Sequence, residues 1–226
     1  MRGLFVTGTD TNVGKSILSA ALLAAMLAED CAALAYKAVV TGLDDPPDRT
    51  WMRDHELLAS VTGQRPQEVA PLRFGPAVSP HLAAELEGRK IEPDEIIAAA
   101  ATLAARAPDA TLVVEGVGGL LVPLSDRYLV RDLAAALGLP LLIAARTGLG
   151  TINHTLATLQ CARDARLEVA AVVLTPWPAQ PDVLERSNRQ TLMQLGDVEV
   201  LTLPAIDGPA QLAQAGAALP WRSWVR

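Results

Sequence analysis

Apolar runs of strand length alternate along this chain with stretches whose apolar residues recur at helical spacing. Strand-like runs are GLFVTG (3 to 8), AALAYKAVV (32 to 40), TLVVEG (111 to 116), LPLLIAA (139 to 145), EVAAVVLT (168 to 175) and VEVLTLP (198 to 204). Helical patterns fall over 15 to 28, 54 to 62, 80 to 87, 93 to 106, 129 to 137, 151 to 165 and 181 to 195. Strands that are apolar throughout, instead of at every second position, are covered on both faces. Helices alternating with such strands imply a mostly parallel central sheet with a helical layer on each side, an α/β three-layer fold. Such sheets bind ligands outside the carboxyl ends of their strands. A chain of 226 residues suits one domain spanning 1 to 226.

Charge and composition exclude several classes of function. A net charge of −6 argues against a nucleic-acid surface, which needs a clustered excess of cations. The longest apolar stretch, 17 to 28, is shorter than the roughly 20 residues of a bilayer span, and no charged leader with a cleavage site precedes it. Cys31 and Cys161 stand singly in apolar surroundings, which suits buried thiols in a reducing compartment and predicts a cytoplasmic protein with no membrane partner. Lysine is rare: Lys15, Lys37 and Lys90 stand against arginine at every other cationic position, and two of the three closely follow apolar runs. A compact ammonium on a flexible stem does what a planar guanidinium cannot, so these lysines are candidate site residues.

The first strand ends in GTDTNVGKS, residues 8 to 16, and a helix follows. Strand, glycine-containing loop, Gly-Lys-Ser and helix form the context of a phosphate-binding loop. The match departs by one position: Thr9 stands where the first glycine belongs, and Gly8 comes one residue early. Free amides at the helix start would cradle a phosphate, Lys15 would reach its terminal oxygens, and Ser16 could ligate Mg2+. Glu115, closing a strand, and Asp54, opening a helix after the loop LDDPPDRTW (43 to 51), could complete a metal shell, although each also reads as an ordinary strand-end charge or helix cap. GVGG at 116 to 119 lets backbone approach a ligand or simply makes a tight turn. In RTGLGTINHT (146 to 155) glycines again lie between strand and helix, where amides could hold a second anion. In LRFGPAVSPH (72 to 81), Ser79 is placed to cap a helix with Pro80 at its first position.

Five blocks, VTGTDTNVGKS, YKAVVTG, SPH, VEGVGGLLVPL and GLGTINH, together resemble the dethiobiotin synthetases, in that family's order and including its variant loop. The resemblance implies a P-loop NTPase-like fold and an ATP-dependent cyclo-ligase of biotin biosynthesis that forms C–N bonds. Its substrates would be 7,8-diaminopelargonic acid and CO2, drawn from bicarbonate, with ATP as co-substrate and Mg2+ as cofactor; its products would be the cyclic urea, ADP and phosphate. It also implies a homodimer with a shared active site. Carried over by position, Thr9, Asp10, Asn12, Val13, Gly14, Lys15, Ser16, Glu115 and Gly118 would bind nucleotide, and Ser16, Asp54 and Glu115 the metal. Lys15, Lys37 and Thr11 would be catalytic. Thr11, Lys37, Thr41, Gly118, Gly148, Gly150 and Asn153 would contact the diamino acid, the last three from the partner subunit.

The last third departs from the family. Thr175, followed by Pro176, stands where many members have an asparagine that reads adenine, and Pro204 lies near the other side of the expected base site. This predicts relaxed base selectivity, with CTP accepted beside ATP. Among other readings, an amide synthase of the cobyrinic acid type would need a nucleophilic cysteine that neither Cys31 nor Cys161 resembles. A partitioning-type regulatory ATPase would carry a lysine where this chain has Asp10.

Overall fold

The computed structural model describes residues 1–46 and 51–225, so the expected proline loop over 43 to 51 lies partly outside the described residues. Strands β1 (Gly3–Gly8), β2 (Ala33–Lys37), β5 (Thr111–Gly119), β6 (Leu141–Ala145), β7 (Val169–Trp177) and β8 (Val200–Pro204) form one sheet in the order β2-β5-β1-β6-β7-β8. Every ladder in it is parallel. The expected strand over 32 to 40 divides: after Lys37 the chain leaves the sheet, and β3 (Val39–Val40) pairs instead with β4 (Leu72–Arg73) in a separate two-stranded ladder.

The period of two along each strand sorts side chains onto opposite faces. On β1, Leu4 and Val6 join one buried cluster, shared with α1 (Lys15–Ala28) and α2 (Asp54–Thr62), while Phe5 joins another. That second cluster lies under α4 (Pro80–Leu86), α5 (Pro93–Arg106) and α6 (Val130–Leu137). A third cluster, around Ile143, Val172 and Leu174, is covered by Leu159 of α7 (Thr151–Asp164) and Leu192 of α8 (Val183–Leu195). A short α3 (Pro66–Val69) follows α2. Beyond the last strand, where the pattern predicted nothing, a 3-10 turn (Pro209–Gln211), α9 (Leu212–Ala217) and α10 (Trp221–Trp224) return to cover the first cluster.

Candidate active site

The nucleotide loop begins at the carboxyl end of β1, one of the two middle strands in the sheet order. A Cβ on Gly8 would meet Val13 Cγ2 at 2.7 Å and the Asp10 carbonyl oxygen at 2.9 Å. Gly8, one residue earlier than the usual pattern, is therefore the position where the loop tolerates no side chain, and Thr9 is free of that demand; its amide donates to the Ala144 carbonyl at 3.0 Å. Asn12 and Gly14 have φ of 56° and 88°. Asparagine tolerates the left-handed region and glycine enters it freely, so the loop turns into α1 at the cost of one mildly disfavoured residue. Lys15 Nζ donates to the Asp10 carbonyl at 2.9 Å, which curls the ammonium back over the loop. Burial, reinforced by the nearby Lys37 cation, lowers its pKa to about 8.

Parallel register explains the second half of the site. Lys37 on β2 stands opposite Glu115 on β5, both on the face covered by α1 and α2. Lys37 Nζ bonds Glu115 Oε1 at 2.5 Å and pairs with Asp54 Oδ2 at 3.0 Å. Lys37 is 3% exposed and Glu115 1%, whereas the Asp54 side chain is 49% exposed. Burial alone would lower the Lys37 pKa, but the two carboxylates outweigh it and raise it, so the ammonium keeps its proton at neutral pH. Asp54 responds in kind: desolvation would raise its pKa, yet the Lys37 ammonium, by charge and hydrogen bond, brings it down to about 2. Ser16 Oγ donates to Glu115 Oε1 at 2.8 Å.

These oxygens fit a hard divalent cation. Glu115 Oε2 is buried with no hydrogen-bond partner, a carboxylate oxygen whose desolvation is uncompensated by protein. A hydroxyl and two carboxylates, with room for water and phosphate, are the sparse donor set magnesium accepts. Among the described residues no group of three or more His, Cys, Asp or Glu forms a dedicated metal cage.

A cavity of about 810 Å³ opens over this cluster. Thr11, Asn12, Gly14, Lys15, Ser16, Lys37, Thr41, Asp54 and Gly118 all line it, joining residues drawn from four separate stretches of sequence. Gly148, Gly150, Asn153, Thr175 and Pro204 lie outside that lining. Thr175 is buried at 2% exposure, and its Cγ2 lies 2.7 Å from where a Cβ on Gly14 would sit, so its methyl packs under the nucleotide loop. GVGG does not make a tight turn: β5 runs through Gly119, and the φ of 59° at Gly118 bends it beside Thr11. Ser79 occupies the N-cap position of α4 without capping it; its hydroxyl meets His81 Nδ1 at 3.1 Å instead. Sequence reasoning missed the apolar wall of the cavity, formed by Val40, Trp51, Met52, Val78 and Val122. A tryptophan beside a proline-rich loop was the one available signal for it.

A family model described as an AAA domain matches residues 2–208. The ATP-dependent dethiobiotin synthetase BioD of Anaeromyxobacter dehalogenans (strain 2CP-1) is 42% identical over 205 residues, covering 90% of this chain and 89% of that protein. The protein of the same name from Bacillus subtilis (strain 168) is 35% identical over 204 residues, covering 89% and 86%. Among solved structures, a ParA family ATPase from Chlorobium tepidum aligns with a TM-score of 0.54 at 14% identity, over 96% of this chain and 90% of that one. The MinC:MinD cell division complex of Aquifex aeolicus aligns at 0.53 and 13% identity, over 96% and 85%. At such identities the two structures attest to a shared P-loop fold and to nothing about chemistry.

Proposed function

The chain belongs to the dethiobiotin synthetase family and is an ATP-dependent ligase forming C–N bonds in biotin biosynthesis; from that premise we propose how its own residues divide the work. One amine of 7,8-diaminopelargonic acid adds to CO2 and loses a proton to give a carbamate anion. A carbamate oxygen attacks the γ-phosphorus of ATP and displaces ADP. The second amine then attacks the carbonyl carbon of the mixed anhydride, sheds its proton and expels phosphate, closing the cyclic urea. The observation that carries this reading is the pair of ammonium groups, Lys15 and Lys37, lining one cavity together with apolar side chains.

Lys37, fixed in its protonated form by Glu115 and Asp54, acts as a charge and not as a base. It holds the carbamate with Thr11, while Thr41 and Gly118 flank the amines and the apolar wall covers the methylene chain. The carbamate is already an anion, so its attack needs no base; positioning and charge neutralisation are what phosphoryl transfer requires. Ser16, Asp54 and Glu115 would hold Mg2+, which when bound neutralises phosphate charge. The loop from Thr9 to Val13 contributes backbone to the phosphates, and Asp10 restrains it through its Oδ1 bond with the Thr11 amide at 2.7 Å.

Gly148, Gly150 and Asn153 bind the substrate's distant carboxylate in the other subunit of a homodimer. Their position outside their own chain's cavity supports this. The close packing of α9 on α1 supports one domain, and the unpaired Cys31 and Cys161 support a reducing cytoplasm. Among the described residues no helix is long and apolar enough to cross a membrane.

Base selectivity is the reading specific to this chain. With its methyl turned under Gly14, Thr175 offers no two-point match to adenine, Pro176 has no N–H, and exposed Pro204 has none either. Backbone groups would then read whichever base fits, and CTP serves beside ATP. One assay tests the whole proposal: protein, the diamino acid, bicarbonate and magnesium with each of ATP, GTP, CTP and UTP, the urea detected by mass. Absence of urea with every triphosphate sinks the function; a preference for ATP of about a hundredfold, roughly 2.7 kcal/mol, sinks the relaxed selectivity.

Lys15 also makes nucleotide binding pH-dependent. Its free-state pKa of about 8 must rise when a triphosphate stabilises the cation, so binding takes up a proton above that pH. Affinity is expected to fall as pH climbs past 8, by up to about tenfold per unit. Calorimetric titrations at alkaline pH in two buffers of different ionisation enthalpy would differ in apparent heat. Lys15→Arg should abolish that difference, and equal heats in the unaltered protein would refute the linkage.

A further inference from the structure

We propose that Asn188, on α8, is a positioning residue of this reaction: its amide fixes the backbone of the loop that receives the substrate's carboxylate. The inference rests on the reading of Gly148, Gly150 and Asn153 as that carboxylate's site, which does not itself involve α8.

Only two residues of α8 are buried, Asn188 and Leu192, one turn apart on the face that meets the sheet. Filling that stripe calls for another apolar side chain, yet an asparagine at 4% exposure occupies it. Its Nδ2 has two hydrogens and spends both on backbone, donating to the Thr147 carbonyl at 2.9 Å and the Gly148 carbonyl at 3.2 Å. The preceding carbonyl, that of Arg146, accepts from Thr151 Oγ1 at 2.6 Å. Three consecutive carbonyls between β6 and α7 are thus drawn inward.

Planar trans peptides turn the next amide N–H away from an inward carbonyl. Amides of Thr147, Gly148 and Leu149 therefore face outward together, just before the start of α7. Asn188 holds two of those three peptides, that of Thr147 alone and that of Gly148 together with the Thr151 amide, which donates to the same carbonyl at 3.3 Å, and glycine at 148 and 150 would otherwise leave the segment freer to flip. Arg146 ties the same segment to the nucleotide loop, its Nη2 donating to the Thr11 carbonyl at 3.1 Å and pairing with Asp10 at 3.3 Å. That outer tie is half-exposed and weak; the buried amide is the stronger of the two restraints.

The test compares 7,8-diaminopelargonic acid with 2,3-diaminononane, the same vicinal diamine with methyl in place of carboxyl, at saturating ATP. The unaltered enzyme should prefer the acid by about a hundredfold or more in kcat/KM, since a site built for a polar group rejects an analogue lacking it. In Asn188→Asp, which keeps the shape and loses the donors, that preference should shrink by at least about tenfold. The change should appear in the KM for the acid, with the KM for ATP and the turnover of the diamine unchanged. Should the aspartate variant fail to fold, Asn188→Ala is read in its place. A uniform loss on both substrates, or an unchanged preference, would overturn the role of Asn188 alone. No preference in the unaltered enzyme would overturn the carboxylate site itself, and this inference with it.

Discussion

Lys37→Ala is expected to lower kcat by about a hundredfold or more, the usual cost of removing one charge aimed at a developing anion in a dry site. Lys37 is the less exposed of the two lysines that line the cavity, and Lys15, engaged by the triphosphate on the proposed reading, cannot take its place at the carbamate. The same substitution strands Glu115, a fully buried carboxylate, without its ammonium. Breaking a buried pair from one side typically costs about 3–5 kcal/mol; Asp54, half-exposed, recovers water and adds little to that figure. Loss of activity could therefore be confused with loss of fold. Lys37→Met together with Glu115→Gln removes both charges at similar volume and should recover much of the stability while leaving the ligase inactive. Lys37→Arg should not rescue turnover, because a planar guanidinium cannot occupy a slot shaped for a point charge. Near-native kcat in either the alanine or the methionine variant, measured below its unfolding transition, would take Lys37 out of the mechanism.

That pair also shows where sequence reading reaches its limit. Glu115 could be placed at a strand's end and Lys37 within a strand from apolar runs alone, but only the parallel register of β2 on β5 makes them neighbours, and register is a property of the assembled sheet. The phosphate loop was legible because its geometry is local: strand, tight backbone and helix start occur within a dozen residues, and even its displaced glycine has a local cause in Val13 and the Asp10 carbonyl. The ladder of β3 on β4 was not, since strands of two residues leave no period to detect. Asn188 was invisible for a different reason: on a polar helix an asparagine attracts no notice until its burial is known. Thr175 is the mixed case. Its identity raises the expectation of an altered base site, whereas its packing under Gly14 emerges only from three-dimensional proximity.

The other large effect is expected at Gly216, outside the lining of the cavity. Helix α9 crosses α1 so closely that a Cβ on Gly216 would lie 2.0 Å from the Ala21 carbonyl oxygen, 2.5 Å from its carbon and 2.9 Å from Ala25 Cβ. Backbone on a central helix cannot yield as a flexible side chain would, so Gly216→Ala must push the two helices apart. Overpacking of this kind costs about 3 kcal/mol, which in a chain of this size lowers Tm by about 6 to 12 °C. The segment is held at its far end as well: Trp221 and Trp224 are buried, Trp224 Nε1 donates to Glu199 Oε2 at 3.3 Å, and Arg222 pairs with Glu29 just beyond α1. Because α1 begins with Lys15 and Ser16, the C-terminal helices brace the element that presents the proposed phosphate site, although they lie beyond the residues matched by the AAA-domain model. Displacing α9 should therefore weaken nucleotide affinity along with stability. Thermal unfolding and nucleotide titration of Gly216→Ala measure both. An unchanged Tm would mean that the contact relaxes at no cost, and an unchanged affinity in a destabilised variant would confine the brace to folding.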